Sequence, residues 1–419
     1  MSSRRFPDFF AAYLAYVNCG FVPKQFNEWT ALCIIAAALE RKVFLPWGDM
    51  QAVFPNIYVL LVSGAGEGKS TALNRGVRLL EEMNRKTSTV NILPNQATEP
   101  AFLNQVGKGR SFTYGTSVVT QNAAFYYASE ASACLRNIYN GGSDFIATLT
   151  DLYDCPELWR KALKKDGDTP QTLKNVCISL LAGCTFNYLD ELVSEKNISG
   201  GFASRIVYVV SWDKAVTEQA FQGGLLDDGY TEERRIYREA LLADLLAIHQ
   251  MQGKMRGSPE FARAWETWWY AFEKQRRSYP SEKLKSLLVR TSDNILKVAM
   301  LLSAAESNAL TLEVRHWEKA HDLVTRCMTD VPDIFRGSRA NSTDKSLRNI
   351  APTIMHALKA KPGMSRVDLV SQLTMSGHRT NDVENVLSGM LNSNKVEIAS
   401  CAPGGSVHLK IVGDPNNYF

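Results

Sequence analysis

The residues best suited to chemistry lie in one short segment, GAGEGKST, at positions 64–71. An apolar run at 57–62 precedes it and a helix-forming stretch follows, so the segment is predicted to be a loop joining a buried strand to a helix. Backbone N–H groups at such a helix start can surround a polyphosphate, because glycines have no Cβ to keep it away. Lys69 is expected to reach the β- and γ-phosphates, and the Ser70 hydroxyl to bind Mg²⁺. The segment therefore predicts nucleoside triphosphate binding.

The match to the P-loop pattern G-x-x-x-x-G-K-[ST] has one departure, because Ser63 stands where the pattern has its first glycine. Serine is small enough to be tolerated there. The alternative is a glycine-rich turn that contains GKS by chance, but the strand, loop and helix stand in the required order. The predicted nucleotide-binding residues of the segment are Gly64, Ala65, Gly66, Glu67, Gly68, Lys69, Ser70 and Thr71.

An acidic residue follows a second apolar run, in the stretch AAFYYASEASACL at 123–135. A carboxylate at the end of a strand beside the phosphates can orient or deprotonate the attacking water. Glu130 is the candidate for this base and for a second Mg²⁺ ligand. Ser129 replaces the aspartate that usually precedes such a glutamate, so either Glu130 serves both roles or the metal relies on Ser70, nucleotide and water. The alternative is that Glu130 only caps a helix.

The end of one further strand and the start of another carry polar residues that are candidates for the nucleotide site. The run NVCISLLAGCT at 175–185 leads to Thr185 and Asn187, which could hold the water or the γ-phosphate; a threonine there can also be the cap of the next helix. In GGFASRIVYVV, Arg205 stands at a strand start and is either an ion-pair anchor or an arginine finger for a neighbouring subunit. Arg290 opens a later helix and either points at the phosphates from a lid or forms a surface salt bridge.

A basic segment, WRKALKKDGDTPQTLK at 159–174, reads as two arms joined by a Gly-Asp turn. It is either a solvated loop or a projecting hairpin that grips a nucleic-acid backbone through its phosphates. Its candidate contacts are Arg160, Lys161, Lys164, Lys165 and Lys174.

The C-terminal part follows a Ser-, Asn- and Gly-rich linker and is predicted to form three short helices and a hairpin. This is the plan of a winged helix, whose third helix can enter the DNA major groove, although winged helices also dock on proteins. The candidate DNA contacts at the start of that helix are Arg379, Thr380, Asn381 and Asn385.

The length of 419 residues and the composition agree with a multidomain globular protein. The net charge is only +4, so any basic site must be a local cluster of basic residues. The eight cysteines lack zinc-site spacing and, with no apolar run of membrane-spanning length, predict a cytoplasmic protein. The predicted domains are an N-terminal helical region at 1–45, an ATPase core at 46–215, a helical lid at 216–335, a linker at 336–346 and a winged helix at 347–415.

Taken together, several motifs resemble the helicase-like P-loop domain of phage, plasmid and prophage replication proteins, over roughly residues 27–330. They are FNEWTALCIIAAALE, FPNIYVLLVSGAGEGKS, ILPNQATEPAFLNQ, YYASEAS, LLAGCTFNYLDEL and GGFASRIVYVV. The later motifs are also similar to those of AAA+ ring helicases of the minichromosome maintenance type. The resemblance implies an α/β P-loop NTPase fold of the ASCE, AAA+-like type, with N-terminal helices, a helical lid and a C-terminal winged helix.

The resemblance also implies ATP and Mg²⁺, with Arg205 as arginine finger and Arg290 as second sensor. Both arginines are expected to act across subunit boundaries in a ring, and the expected ring is a hexamer. The expected function is a DNA helicase for replication of a phage or mobile element, in a bacterial cytoplasm, acting on single-stranded DNA beside a separate primase or polymerase. Two alternatives stay open: a nucleotide-switched DNA-binding regulator or helicase loader, and the ATPase of a defence system.

Overall fold

The computed structural model describes residues 4–17, 22–48, 51–87, 90–93, 98–132, 145–161, 171–186, 188–189, 201–212, 232–279, 282–330, 350, 353–355, 357–358, 361, 363–375, 380–392, 396–401 and 407–411. The chain forms two compact units, Met1–Arg336 and Gly337–Phe419. Among the described residues, no helix is both long and apolar enough to cross a membrane.

The elements of the first unit are as follows. Its strands are β1 Val43–Trp47, β2 Gln51–Val53, β3 Tyr58–Val62, β4 Ile92–Leu93, β5 Arg110–Tyr114, β6 Ser117–Ala128, β7 Leu158–Lys161, β8 Gln171–Lys174, β9 Val176–Cys184, β10 Ile206–Val210, β11 Gly253–Lys254, β12 Arg256–Gly257 and β13 Thr311–Leu312. Its helices are α1 Phe9–Val17, α2 Lys24–Leu39, α3 Lys69–Thr87, α4 Glu99–Gly107, α5 Phe145–Tyr153, α6 Glu232–His249, α7 Pro259–Ser278, α8 Glu282–Leu288, α9 Thr291–Glu306 and α10 Val314–Thr329.

A parallel sheet forms the centre of this unit, with strand order β10-β3-β9-β6-β4 and β5 added antiparallel to β6. Every residue of β3, β9 and β10 is buried. Continuous apolar strands of this kind require cover on both faces of a parallel sheet. The fold is therefore α/β, as predicted, with the carboxyl ends of β3, β9 and β6 at one edge.

Two apolar cores lie on the two faces of the sheet. Along β3, Val59 and Leu61 join one core while Tyr58, Leu60 and Val62 join the other, as expected from the twofold alternation of side chains in a strand. In the first core, α2 has fourteen buried residues out of sixteen. The N-terminal helices are thus part of the packing that supports the sheet.

Two expectations about secondary structure are wrong in part. The region 216–335, predicted to be a helical lid, also contains β11, β12 and β13; β11 pairs with β1 and β12 pairs with β13. The stretch expected to be helical up to position 45 ends instead in β1, which pairs antiparallel with β2. Gly253, at a φ of 127°, opens β11 with a backbone that other residues rarely adopt.

The second unit has its own apolar core, which includes Leu369, Leu387 and Leu409. Its described elements are helices α11 Arg366–Met375 and α12 Thr380–Asn392 and the antiparallel strands β14 Val396–Cys401 and β15 Val407–Ile411. Residues 353–355 and 357–358 are also helical. Helices followed by a hairpin were predicted here, and these elements confirm that order.

Candidate functional site at the carboxyl edge of the sheet

The loop after β3 is built around glycine conformations and one buried lysine. Gly66 and Gly68 have φ values of 79° and 81°, in the left-handed region that favours glycine. Lys69 begins α3 with only 6% of its surface exposed, and its Nζ donates hydrogen bonds to the carbonyl oxygens of Ser63 at 3.0 Å and Gly64 at 2.6 Å. The ammonium group therefore lies inside the curve of the loop.

The serine that departs from the P-loop pattern takes part in this arrangement. Ser63 is fully buried, and its Oγ accepts a further hydrogen bond from Lys69 Nζ at 3.2 Å. A glycine at this position could not make that contact. The Ser63 side chain thus gives the lysine ammonium group one more hydrogen-bond acceptor and does not displace it.

Glu67 lies across the loop, a placement that was not predicted from the sequence. Its carboxylate accepts a hydrogen bond from the backbone N–H of Gly64 at 3.2 Å. A Cβ on Gly64 would stand 2.4 Å from Glu67 Oε1, so a side chain at position 64 would make the flexible Glu67 carboxylate move away. An N–H of the loop is therefore bonded to a carboxylate oxygen, the kind of anionic acceptor that such loops bind.

Glu130 lies beside the lysine, two residues beyond the end of β6. Burial raises the pKa of Glu130, while the positive charge of Lys69 and a hydrogen bond from the backbone N–H of Thr185 oppose that rise. Burial lowers the pKa of Lys69, and the negative charges of Glu130 and Glu67 oppose it. The structure thus brings Lys69, Glu130 and Thr185 together, and a carboxylate with a raised pKa is better matched to general-base chemistry near neutral pH.

Gly183 makes this approach sterically feasible. A Cβ at this position of β9 would lie 2.4 Å from the carbonyl oxygen of Ser129 and 3.6 Å from Lys69 Cβ. Gly183 was not among the residues predicted for the site. The available signal was a glycine inside an otherwise apolar strand, which often marks a close approach of another backbone.

Of the other residues that were predicted to bind nucleotide, the structure describes some and not others. The Ser70 side chain is exposed in the first turn of α3, where a ligand can reach it, and Thr71 and Thr185 are half-buried. Asn187 lies outside the described residues. The described part of the chain holds no cluster of three or more His, Cys, Asp or Glu side chains that could bind a metal.

Arg205 and Arg290 are at the opposite edge of the sheet. Ile206, the first residue of β10, is paired with Tyr58, the first residue of β3, so Arg205 is roughly 16 Å along the strands from the loop after Val62. The structure does not bring these arginines to the lysine of their own chain. They come together instead at Asp154, which pairs with Arg205 at 2.6 Å and with Arg290 at 3.2 Å.

The basic segment forms an antiparallel pair, β7 and β8, so its two arms are both strands. Arg160 and Lys174 are exposed. Lys161 points to the protein instead, because its Nζ contacts Glu99 Oε1 at 2.5 Å and Thr148 Oγ1 at 3.1 Å. Lys164 and Lys165 lie outside the described residues.

In the second unit, the predicted DNA contacts fall at the start of α12. Thr380, Asn381 and Asn385 are exposed in its first two turns, and Arg379 lies outside the described residues. Exposed hydroxyl and amide groups at a helix start can contact phosphates or base edges.

A comparison with models of known protein families finds no match to this chain, and a comparison with curated proteins finds none either. The fold and the site therefore define the class: an α/β protein with a parallel sheet, whose carboxyl edge carries a glycine-containing loop, a buried lysine and a carboxylate.

Proposed function

We propose that this protein is an ATP-driven nucleic-acid translocase, a ring-forming DNA helicase for the replication of a phage or mobile element, working in a bacterial cytoplasm. The observation that carries the proposal is the meeting of Lys69, Glu130 and Thr185 at the carboxyl edge of a parallel sheet. Ligands of open α/β sheets bind outside the carboxyl ends of the strands.

The strand order supports ATP hydrolysis in particular. β9 lies between β3, which precedes the lysine loop, and β6, which precedes Glu130. Two strand spacings separate β3 from β6 by roughly 10 Å, so the lysine loop and the Glu130 segment reach the same edge of the sheet from the two sides of β9.

The chain's own residues divide the chemistry of ATP hydrolysis among them. The loop N–H groups and the Lys69 ammonium bind and orient the phosphates, and this positioning is the main contribution in phosphoryl transfer. Glu130 receives the proton of the attacking water, and the Thr185 N–H holds its carboxylate in place. Ser70 and Glu130 would hold Mg²⁺, which neutralises charge between phosphates; one or two protein oxygens plus phosphates suit this ion.

The positions of Arg205 and Arg290 support assembly into a ring. Both arginines are distant from the phosphate loop of their own chain, at the edge where β10 begins. A finger at this edge can serve only the nucleotide of a neighbouring copy, and such fingers stabilise the charge that develops in the transition state. A ring of six copies would give every site both sets of groups.

The β7–β8 hairpin supports nucleic-acid binding. Arg160 and Lys174 provide exposed positive charge, and contacts to phosphates are independent of sequence, which suits a motor that passes over every base. Single-stranded DNA is the proposed substrate track, and a primase or polymerase of the same element is the proposed partner.

The experiment is ATP hydrolysis by the full chain with and without single-stranded DNA, together with the mass of the protein in solution with a non-hydrolysable ATP analogue. We expect DNA to raise the rate strongly and the analogue to produce a closed assembly of several copies. Lys69→Ala should abolish turnover, because the phosphates lose the charge that positions them. Lys86→Ala removes a positive charge from an exposed position on the same helix and should leave turnover intact. Turnover that survives in the Lys69 variant would contradict the proposal.

One observation favours a second candidate, a nucleotide-switched DNA-binding regulator or helicase loader. The second unit forms its own core and exposes Thr380, Asn381 and Asn385 at a helix start, which suits recognition of a DNA duplex. Such a protein would bind a specific duplex and hydrolyse ATP slowly, and single-stranded DNA would not change the rate. The same hydrolysis measurement therefore separates the two candidates.

A further inference from the structure

Asp154 joins the two arginines that the proposed function assigns to a neighbouring copy. Its Oδ2 accepts a hydrogen bond from Arg205 Nη2 at 2.6 Å, and its Oδ1 lies 3.2 Å from Arg290 Nη2. The three residues come from different elements: Asp154 directly follows α5, Arg205 ends a 3-10 turn before β10, and Arg290 directly precedes α9. This carboxylate therefore links the start of strand β10 with the start of helix α9.

Arg205 depends on Asp154 more than Arg290 does. Among the described residues, Asp154 is the only carboxylate within 4 Å of Arg205, whereas Arg290 also pairs with Asp293 at 3.1 Å. Only 13% of the Arg205 side chain is exposed, and its Nε is buried without a hydrogen-bond partner. A guanidinium in such a position needs its counter-ion, because removing one partner leaves an uncompensated charge.

The backbone that carries Asp154 is held in place. Cys155, the next residue, has a φ of 52° and donates its N–H to the carbonyl oxygen of Leu152 at 3.2 Å. The Cys155 carbonyl oxygen in turn accepts a hydrogen bond from Arg41. The carboxylate is therefore fixed by the turn that ends α5.

The edge is open to a second molecule. Asp154 and Arg290 line a cavity of about 650 Å³ at this edge. Arg205 uses Nη1 for the Gly201 carbonyl oxygen and Nη2 for Asp154. Arg290 uses Nη1 for Asp293 and Nη2 for Asp154, so each guanidinium has further N–H groups for an anionic acceptor.

We propose that Asp154 is a positioning residue of the ATPase: it holds Arg205 and Arg290 at one place, so that both reach the nucleotide of a neighbouring copy together. This inference rests on the proposed function and adds to it the residue that couples the two arginines. Asp154 itself does not touch the nucleotide.

The test is the variant Asp154→Asn, which keeps the shape of the side chain and removes its charge. We expect kcat to fall by roughly 10- to 100-fold, the range that follows when a group that positions the transition state is displaced by about 1 Å. We expect KM for ATP to change little, because the phosphate loop of the same chain lies at the other edge of the sheet. A kcat equal to that of the unsubstituted chain would overturn the inference.

Mixing experiments locate the defect. A Lys69→Ala chain has lost its own phosphate site but retains the arginine edge, so mixing it with Asp154→Asn should raise turnover well above the sum of the two alone. Glu130→Gln is the matched control, because its defect is on the same side as that of Lys69→Ala and mixing those two should restore nothing. An Asp154→Asn defect that Lys69→Ala does not restore would also overturn the inference.

Failure of this inference can be told apart from failure of the proposed function. The mixture of Arg205→Ala with Lys69→Ala tests only whether the arginine acts across copies. Restoration in that mixture but not in the Asp154→Asn mixture leaves the proposed function intact and removes the role of Asp154. No restoration in either mixture counts against both.

Two further variants complete the design. Asp293→Asn removes the second partner of Arg290 but leaves the Arg205 pair, so its effect on kcat should be smaller than that of Asp154→Asn. Urea unfolding shows whether Asp154→Asn is folded. If it is not, Asp154→Glu, which keeps the charge and moves the carboxylate outward, takes its place with the same expected loss and the same restoration by Lys69→Ala.

Discussion

The absence of a side chain at Gly183 determines how closely the neighbouring backbone can approach β9. The carbonyl oxygen of Ser129 occupies the space that any Cβ at position 183 would need, and the lysine side chain packs close by. Packed interiors resist such insertions, because neighbouring backbone cannot move aside as a flexible side chain can. The distance between the lysine and the segment after β6, which carries Glu130, therefore depends on this glycine.

Gly183→Ala is expected to lower the free energy of unfolding by about 1–3 kcal/mol, because the added methyl group would lie 2.4 Å from the carbonyl oxygen of Ser129. It should also lower kcat, since the displaced segment carries Glu130. Urea unfolding and ATP hydrolysis measure the two effects. Gly389→Ala is the control: nothing lies within 4 Å of a Cβ there, and alanine in this helix should be neutral or stabilising by up to about 1 kcal/mol. Equal stabilities for the two variants would contradict the steric argument.

Some site residues could be predicted from the sequence because their signal is local. Lys69 and Ser70 stand at fixed spacing from the glycines, and Glu130 follows an apolar run. Asp154 could not be found in this way, because its partners Arg205 and Arg290 are 51 and 136 residues away. No short-range pattern encodes a contact between residues so far apart.

Among the elements, the β7–β8 hairpin has two different faces. Arg160 is paired with Thr172, and Lys174 is paired with Leu158, so these four side chains project from one side. That side is exposed. The opposite side includes Leu173, which is fully buried, and the lysine that pairs with Glu99. Only one face of the hairpin can therefore meet a nucleic acid.

The double variant Arg160→Ala, Lys174→Ala should weaken binding of single-stranded DNA and reduce the slope of log K against log salt by about 1 to 2, because each phosphate contact releases roughly one counter-ion. Fluorescence anisotropy over a salt series measures both quantities. Lys161→Ala removes a charge from the opposite face, so it should leave the slope unchanged and lower stability instead. An unchanged slope in the double variant would exclude this face from DNA binding.

The elements that the sequence predicted well are those with strong apolar patterns. β3, β9 and β10 are continuous apolar runs, and the structure has all three as buried strands. β5, β11 and β13 were missed because they are short or exposed strands that depend on their pairing partners. Two of them, β11 and β13, are only two residues long, so strand formation there follows from tertiary contacts and not from a pattern in the sequence.

At the scale of the whole first unit, one buried charged group joins distant parts of the chain. Glu40, after α2, accepts hydrogen bonds from Arg110 of β5 and from Gln121 of β6. Lys42 lies 3.7 Å from the same carboxylate and also contacts the carbonyl oxygen of His249 at the end of α6. Arg110 already balances the charge of the carboxylate. Burial is therefore the main influence on the lysine, and it lowers the pKa of Lys42 to about 7.

This pKa makes the stability of the protein depend on pH. Between pH 7 and 10.5 the unfolded chain holds a proton on Lys42 that the folded chain has released, so the free energy of unfolding should rise with pH, by at most about 1.4 kcal/mol per pH unit from this group. Urea unfolding at pH 7, 8 and 9 measures the slope. In Lys42→Met the slope from this group should disappear, whereas Lys24→Met, at a position with 78% of the side chain exposed, should retain it. Equal slopes in the two variants would show that Lys42 stays charged when folded.

The separation of the two edges of the sheet would give the proposed ring a head and a tail on each copy. Under the proposed function, Lys69 and Glu130 of one copy meet Arg205 and Arg290 of the next, so the contacting surfaces are different and the contact is heterologous. Heterologous contacts either close into a ring or continue as an open helix, depending only on the rotation between copies. A copy that keeps one surface and lacks the other would bind at one end of the assembly and prevent the addition of further copies at that end.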